Sequence, residues 1–225
     1  MRGSLCMIGD SVTKGVVLDE VKNKYIFLKE SFLNLVTDKA DAKIVNYSKF
    51  GCTVTKGAEI LKKHIEEIST YDHIALEFGG NDCDFDWNEV SSAPEDIHLP
   101  HTPIDEFIEK YRGMIKKIRD YGGTPVIINL PPLEPLKFFR WVSKGLNEDN
   151  ILRWLADVET IFRHHESYND AVCRLARLES VLLVDVRSEF LRRKDYASLI
   201  CDDGMHPNAK GHEIMSEVMR RYALC

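Results

Sequence analysis

Five short runs of almost wholly apolar residues set the frame of this chain: Ser4–Gly9, Lys43–Tyr47, His73–Phe78, Pro125–Leu130 and Val181–Asp185. A strand covered on one face alternates apolar with polar residues, whereas these runs do not, so both faces of each are predicted to be buried. The segments between them have helical period. Tyr25–Val36 places apolar residues at 25, 26, 28, 32, 33, 35 and 36, and Thr53–Ile68 carries a similar stripe. Ile104–Tyr121 has Pro103 before it and Gly122-Gly123 after it, the punctuation of a helix start and stop. Leu133–Leu178 reads as a helical stretch interrupted near Gly145-Leu146-Asn147, and Asn208–Tyr222 as a closing helix. Strands alternating with helices imply a parallel sheet with right-handed crossovers, a doubly wound three-layer α/β/α sandwich. With 225 residues and no internal repeat, low-complexity tract or linker, a single domain over 1–225 is expected.

Two segments exceed what such a fold needs. Residues 82–103 are polar and rich in Asp and Pro, and residues 131–180 are about twice the length of one crossover helix. Both start at the C-terminal ends of predicted strands, the edge where open α/β sheets bind ligands. They are candidates for the walls or lid of a pocket.

Composition narrows the class of partner. Thirty Lys and Arg against thirty-six Asp and Glu leave a net charge of −6, which argues against binding nucleic acid. The longest basic run, Arg192-Arg193-Lys194, reads as a solvated helix face. No apolar run approaches the roughly 18 residues needed to span a bilayer. A strand beginning at Ser4 leaves no room for a secretory signal, so a cytoplasmic location is expected. The six cysteines, Cys6, Cys52, Cys83, Cys173, Cys201 and Cys225, contain no C-x-x-C pair and read as free thiols. Neither a phosphate-binding glycine loop nor G-x-G-x-x-G is present, and no cofactor is implied.

Four short features follow predicted strands and converge on one rim of the sheet. They are Gly9-Asp10-Ser11 after the first strand, Gly51 after the second, Gly79-Gly80-Asn81-Asp82 after the third and Asp203-Gly204-Met205-His206-Pro207 after the fifth. Ser11 sits where a strand turns into a loop, so its hydroxyl can project at the rim. Taken alone it reads more readily as an N-cap or turn serine. His206 is the natural base for it, able to take the serine proton and return it to a leaving group. Asp203, three residues earlier, can accept the other imidazole N–H, with Asp202 as its neighbouring competitor. Asn81 can aim an amide N–H at a developing oxyanion, and Gly51 can offer its backbone N–H.

These four blocks, in this order and spanning nearly the whole chain, resemble those of the SGNH (GDSL-type) hydrolase family. The resemblance implies a flavodoxin-like five-stranded parallel sheet of order 2-1-3-4-5 and acyl-ester hydrolysis through an acyl-enzyme. It implies Ser11 as nucleophile, His206 as base and Asp203 as its orienter. The oxyanion donors it implies are the N–H groups of Gly51 and Ser11 and the side chain of Asn81.

The expected substrate is a small or medium ester, and an O-acetylated carbohydrate is mildly favoured by the polar segment 82–103. A lysophospholipase or thioesterase, and a non-catalytic α/β binding module, are the alternatives. Asp82-Cys83-Asp84-Phe85-Asp86 opens like a calcium loop, but Trp87 stands where glycine is needed and Ala93 where glutamate is needed. With His98 and His101 these acids make a weaker metal candidate, and a polar pocket wall is preferred, so no metal is expected. Trp141, Trp154, Phe138, Phe139 and Phe162 read as packing of the extra helices rather than as pocket lining. His164 and His165 match no block and read as surface or supporting residues.

Overall fold

The structure is a computed structural model that describes residues 3–37 and 43–223. Five strands, β1 (Leu5–Gly9), β4 (Ile44–Asn46), β5 (His73–Glu77), β6 (Thr124–Ile128) and β7 (Leu182–Val184), form one sheet in the order β4-β1-β5-β6-β7. Every pairing in it is parallel. Counted within the sheet this is 2-1-3-4-5, so the flavodoxin-like order holds. Each predicted apolar run forms a strand, with its ends shifted by at most two residues.

Near-continuous burial of the central strands β1, β5 and β6 follows from helices on both faces. The edge strands β4 and β7 are only partly buried, contrary to the expectation for every run. Because side chains alternate along a strand, β5 sends Ile74 and Leu76 to one side and Ala75 to the other. On the first side they meet α3 (Val54–Ile68), α5 (Ile104–Asp120) and α8 (Glu159–Leu178) through Leu61, Ile65, Phe107, Tyr111, Ile115 and Val172. On the second they meet α2 (Phe32–Thr37), α9 (Arg187–Leu191) and α10 (Ala209–Ala223) through Phe32, Leu33, Phe190, Met215 and Met219. Each such aliphatic or aromatic side chain, once fully buried, contributes about 1.5–3 kcal/mol. The two cores therefore fix the strand register that sets the site. Among the described residues no helix is long and apolar enough to cross a membrane.

The sequence reading needs one correction in the first third of the chain. Tyr25–Val36 is not a single helix. Residues Lys24–Phe27 form β3, antiparallel to β2 (Val16–Asp19), and only Phe32–Thr37 is helical. The periodicity fits a helix, but Gly15 ends the short helix α1 (Ser11–Lys14) at φ 80° and turns the chain into a hairpin. The side chain of Asp19 accepts the Lys22 N–H at 2.9 Å, and Asn23 takes φ 47° to close the turn. Aromatic and β-branched residues at Tyr25 and Ile26 suit that pairing. Arg192, Arg193 and Lys194 are exposed just past α9.

Both surplus segments carry helices. Segment 82–103 contains α4 (Trp87–Ser92), capped by the Asp86 side chain, which accepts from Asn88 N–H and Glu89 N–H. Segment 131–180 holds α6 (Pro135–Val142), α7 (Glu148–Leu155) and α8, with breaks at Gly145 (φ 80°) and Ala156 (φ 61°). The two segments share a small third core of Trp87, Val90, Leu133, Phe138, Ile151, Leu155 and Ile161, at the rim of the sheet. Asp82 ties this assembly to the main sandwich. Its carboxylate accepts the Val54 N–H at 3.0 and 3.1 Å, capping α3, whose own N-cap residue Thr53 makes no such bond.

Candidate active site

Ser11 opens α1 directly after β1, with Asp10 as N-cap accepting the Val12 N–H at 2.8 Å. The tightness of this turn explains Gly9. A Cβ there would stand 2.4 Å from Thr13 Oγ1 and 2.8 Å from the Glu77 carbonyl, closer than atoms can pack. The Ser11 hydroxyl is held 2.8 Å from His206 Nε2, and His206 Nδ1 lies 2.7 Å from Asp203 Oδ2. A carboxylate only accepts, so Nδ1 carries the proton and Nε2 presents its lone pair to Ser11.

The Asp203–His206 turn is built locally. Asp203 Oδ1 accepts the N–H groups of Met205 (2.9 Å) and His206 (3.0 Å), leaving Oδ2 for the imidazole. Gly204 takes φ 75°, and any Cβ on it would strike the backbone nitrogen of Phe138 at 2.2 Å. Burial raises the Asp203 carboxyl, but the hydrogen bond and charge of His206, with the two N–H groups, outweigh it and hold the carboxyl below its ordinary value. The competitor Asp202 is exposed and paired with Lys137 at 3.3 Å, away from the imidazole.

Asn81, on the loop after β5, donates Nδ2–H to Asp10 Oδ2 at 3.0 Å and more loosely to the Cys52 carbonyl at 3.4 Å. Gly51 lies on the neighbouring loop at φ 64°. That loop is stitched to the nucleophile turn by Lys49 N–H to the Gly9 carbonyl (3.1 Å) and by Thr13 Oγ1 to Ser48 Oγ (2.8 Å). Ser11, Asn81 and His206 line one cavity, Asp203 stands behind His206, and Gly51 is not part of the cavity wall. Tyr25 and Phe50 flank the His206 ring at 5.2 and 6.3 Å between centroids. The β2–β3 hairpin that the periodicity concealed therefore supplies one side of the site.

The cavity, of about 280 Å³, runs from Ser11 into the third core and is walled by Phe85, Trp87, Leu133, Phe138, Trp154 and Ile161. This reverses two expectations. Segment 82–103 presents a mainly apolar wall rather than a polar one, because its acids Asp84, at the cavity edge, and Asp86 are taken up by local hydrogen bonds. Asp84 accepts from Phe85 N–H and Trp87 Nε1–H, and Asp86 caps α4, so the rings remain to face the cavity. Phe138 and Trp154 line the cavity as well as packing the helices, whereas Trp141 packs against Tyr25 (6.0 Å) and Phe162 lies under Arg187 (5.3 Å).

His164 and His165 are likewise wall residues rather than surface ones. His164 Nε2 is 3.0 Å from the Cys83 carbonyl. His165 is buried and neutral, pushed down to about 3 by burial, then by Arg187 and His164. His98 and His101 face carbonyls of Ala93 and Asn81, and among the described residues no cluster of His, Cys, Asp or Glu has the geometry to hold a metal. Five cysteines are free thiols, and Cys225 lies outside the described residues.

The site also contains an acid that no motif indicated. Glu77, the last residue of β5, is buried beside Asp10 and lines the same cavity. The one trace of it in the sequence is a charge closing an otherwise apolar strand.

Comparison with known proteins agrees with this picture over most of the chain. The GDSL-like lipase/acylhydrolase family matches residues 7–214. An isoamyl acetate-hydrolyzing esterase of Saccharomyces cerevisiae is 26% identical over 219 residues, covering 94% of this chain and 82% of the relative. Among solved structures, a lipase/acylhydrolase from Enterococcus faecalis superimposes with a TM-score of 0.68 at 18% identity, covering 99% of this chain and 95% of that one. An acetylxylan esterase from Geobacillus stearothermophilus, solved as a catalytic mutant, gives 0.64 at 19% identity, covering 99% and 96%. The chain belongs to the GDSL-like lipase/acylhydrolase family and is a carboxylic ester hydrolase.

Proposed function

We propose that this protein hydrolyses small to medium esters with one apolar half, through an acyl-enzyme on Ser11. The observation that carries the reading is the continuous hydrogen-bonded line from Ser11 Oγ through His206 to Asp203, opening on an apolar cavity. His206 Nε2 takes the Ser11 proton as Oγ bonds to the ester carbonyl carbon, and the carbonyl π electrons move to oxygen. Asn81 Nδ2–H and the Ser11 N–H, both at the cavity wall, donate to that oxyanion. Collapse breaks the bond to the alkoxide, which leaves with the proton from His206. A water deprotonated by His206 then releases the acid and restores Ser11. Asp203 keeps the imidazole in the required tautomer and stabilises its charged form.

Aromatic and aliphatic walls favour an apolar chain over a sugar. The volume of about 280 Å³ lies at the small end of ligand sites, roughly 300–1,000 Å³, and disfavours long lipid chains. An ester such as the one named for the yeast relative, a branched five-carbon alcohol with acetate, fits this description. The test compares p-nitrophenyl esters of increasing acyl length, acetates of aliphatic alcohols, acetylated xylooligosaccharide and lysophospholipid. Wild type is expected to prefer the short and medium apolar esters. Ser11→Ala is expected to abolish turnover and labelling by a fluorophosphonate probe while remaining folded. Retained turnover in that variant sinks the mechanism, and a preference for the sugar ester sinks the substrate assignment.

A further inference from the structure

Two neighbouring strands bring an acid each beneath the nucleophile, at or just past their ends. Gly9 of β1 stands opposite Glu77 of β5 in the parallel register, which brings Asp10, the next residue, against Glu77. The pair lies at the floor of the cavity and is almost wholly buried, with exposures of 2% for Asp10 and 1% for Glu77. Their surroundings differ. Asp10 accepts two N–H groups, from Val12 at 2.8 Å and from Asn81 Nδ2 at 3.0 Å. No N–H or hydroxyl reaches Glu77 Oε2, although the two side chains share a hydrogen bond.

A hydrogen bond between two carboxyl groups requires a proton on one of them, and two buried carboxylates in contact cannot both be charged. Asp10 has two N–H donors to stabilise a negative charge, whereas Glu77 has one, the Asp10 backbone N–H, and none at Oε2. The proton therefore belongs on Glu77, which becomes the donor in the hydrogen bond it shares with Asp10.

We propose that Glu77 is a positioning residue: as a neutral acid it donates its proton's hydrogen bond to Asp10, and Asp10 in turn fixes the orientation of the Asn81 amide. A carboxamide can face a neighbour with either oxygen or nitrogen, but a carboxylate accepts only and so selects the nitrogen. That choice directs the second Asn81 N–H along the 3.4 Å contact to the Cys52 carbonyl, at the long limit of a hydrogen bond, leaving it available to a stronger acceptor. Burial, then the charge of Asp10, holds the Glu77 carboxyl well above its ordinary value, in keeping with a retained proton. The inference rests on the reading of Asn81 as an oxyanion donor, and the experiment separates the two.

The measurements use the full chain and a short p-nitrophenyl ester. Asn81→Ala is expected to lower kcat by about 10²–10³, the usual consequence of losing one oxyanion donor. If it does not, the reading of Asn81 fails, and the inference with it. Given that drop, E77L is expected to lower kcat by about tenfold, a part of what the donor itself supplies, with KM little changed. E77Q, whose amide N–H can replace the acid O–H, is expected to recover most of that loss. In the N81A background E77L should add no further loss, since both act through one group. The infrared spectrum of wild type at pH 8 is expected to contain a protonated-carboxyl C=O band that E77Q lacks, a readout that stands even if E77L does not fold. Losses from E77L and N81A that simply multiply, an E77Q as impaired as E77L, or the absence of that band would each overturn the role while leaving the Asn81 reading intact.

Discussion

At the scale of single residues, the site divides into groups that react and groups that hold them. Asp203 belongs to the second kind. Both of its oxygens are occupied, Oδ1 by two backbone N–H groups and Oδ2 by His206, so its geometry is fixed before any substrate arrives. Asp203→Asn should keep the fold and the turn but present an amide to Nδ1. Where that amide donates, Nδ1 must accept, which moves the imidazole proton to Nε2 and away from its use as a base. We expect kcat to fall by about 10³–10⁴ with a small change in KM, measured by steady-state ester hydrolysis. A loss confined to KM would show that Asp203 serves binding instead. Ser11, His206, Asp203 and Asn81, which the fold brings together, were legible in the sequence because each sits in a short block at a strand end, whereas Gly51, read the same way, stands outside the cavity wall. Glu77 was not, since one acid ending an apolar strand carries no spacing to recognise, and its partner Asp10 is 67 positions away along the chain.

At the scale of elements, the apolar cavity is a joint product of segments distant in sequence. Phe85 and Trp87 come from the loop before α4 and its first turn, Trp154 and Leu155 from the end of α7, and Ile161 from the start of α8. Their rings meet edge to face, with Phe85 and Trp154 at 4.8 Å and Trp87 and Trp154 at 6.2 Å between centroids. Trp154→Ala should lengthen the cavity, raising the kcat/KM ratio for octanoate over butanoate esters by about tenfold, the scale expected for accommodating added methylenes in an apolar pocket. An unchanged ratio would place the chain of the substrate elsewhere. Leu155, buried at 4% exposure, anchors the same helix. Leu155→Ala should lower stability by about 2–5 kcal/mol, read from denaturant unfolding. The strands and long helices were legible because burial on two faces or one stripe leaves a period in the sequence. The cavity was not, because rings that pack a helix and rings that line a cavity obey the same period. The β2–β3 hairpin was hidden for a related reason: its four-residue strands are too short to impose a period of two on a segment that also fits 3.6.

At the scale of the whole molecule, two buried histidines make stability depend on pH. His165 lies on α8 at the cavity, and His212 on α10 is stacked on Phe32 at 5.9 Å in the opposite core. Burial, then Arg187 and His164, pushes His165 down to about 3; burial, then His206, pushes His212 down to about 4. In the unfolded chain both should titrate near 6.5. Between these values the unfolded state binds more protons, so the stability they contribute is present above about 6.5 and is lost as pH falls toward 4 and then 3. At pH 5 each is expected to cost about 2 kcal/mol relative to pH 7. Asp82 works in the other direction. Burial raises it to about 6, so the folded state binds its proton first and gains stability as pH falls through that value. The slope of the wild-type protein is therefore a sum, and the difference between variants isolates each part. H165L and H212L should each reduce the loss between pH 7 and pH 5 by about 2 kcal/mol in urea unfolding. Because the two side chains lie in separate cores, the double variant should show the sum. Equal losses in wild type and both variants would mean that these imidazoles already carry their protons in the folded protein.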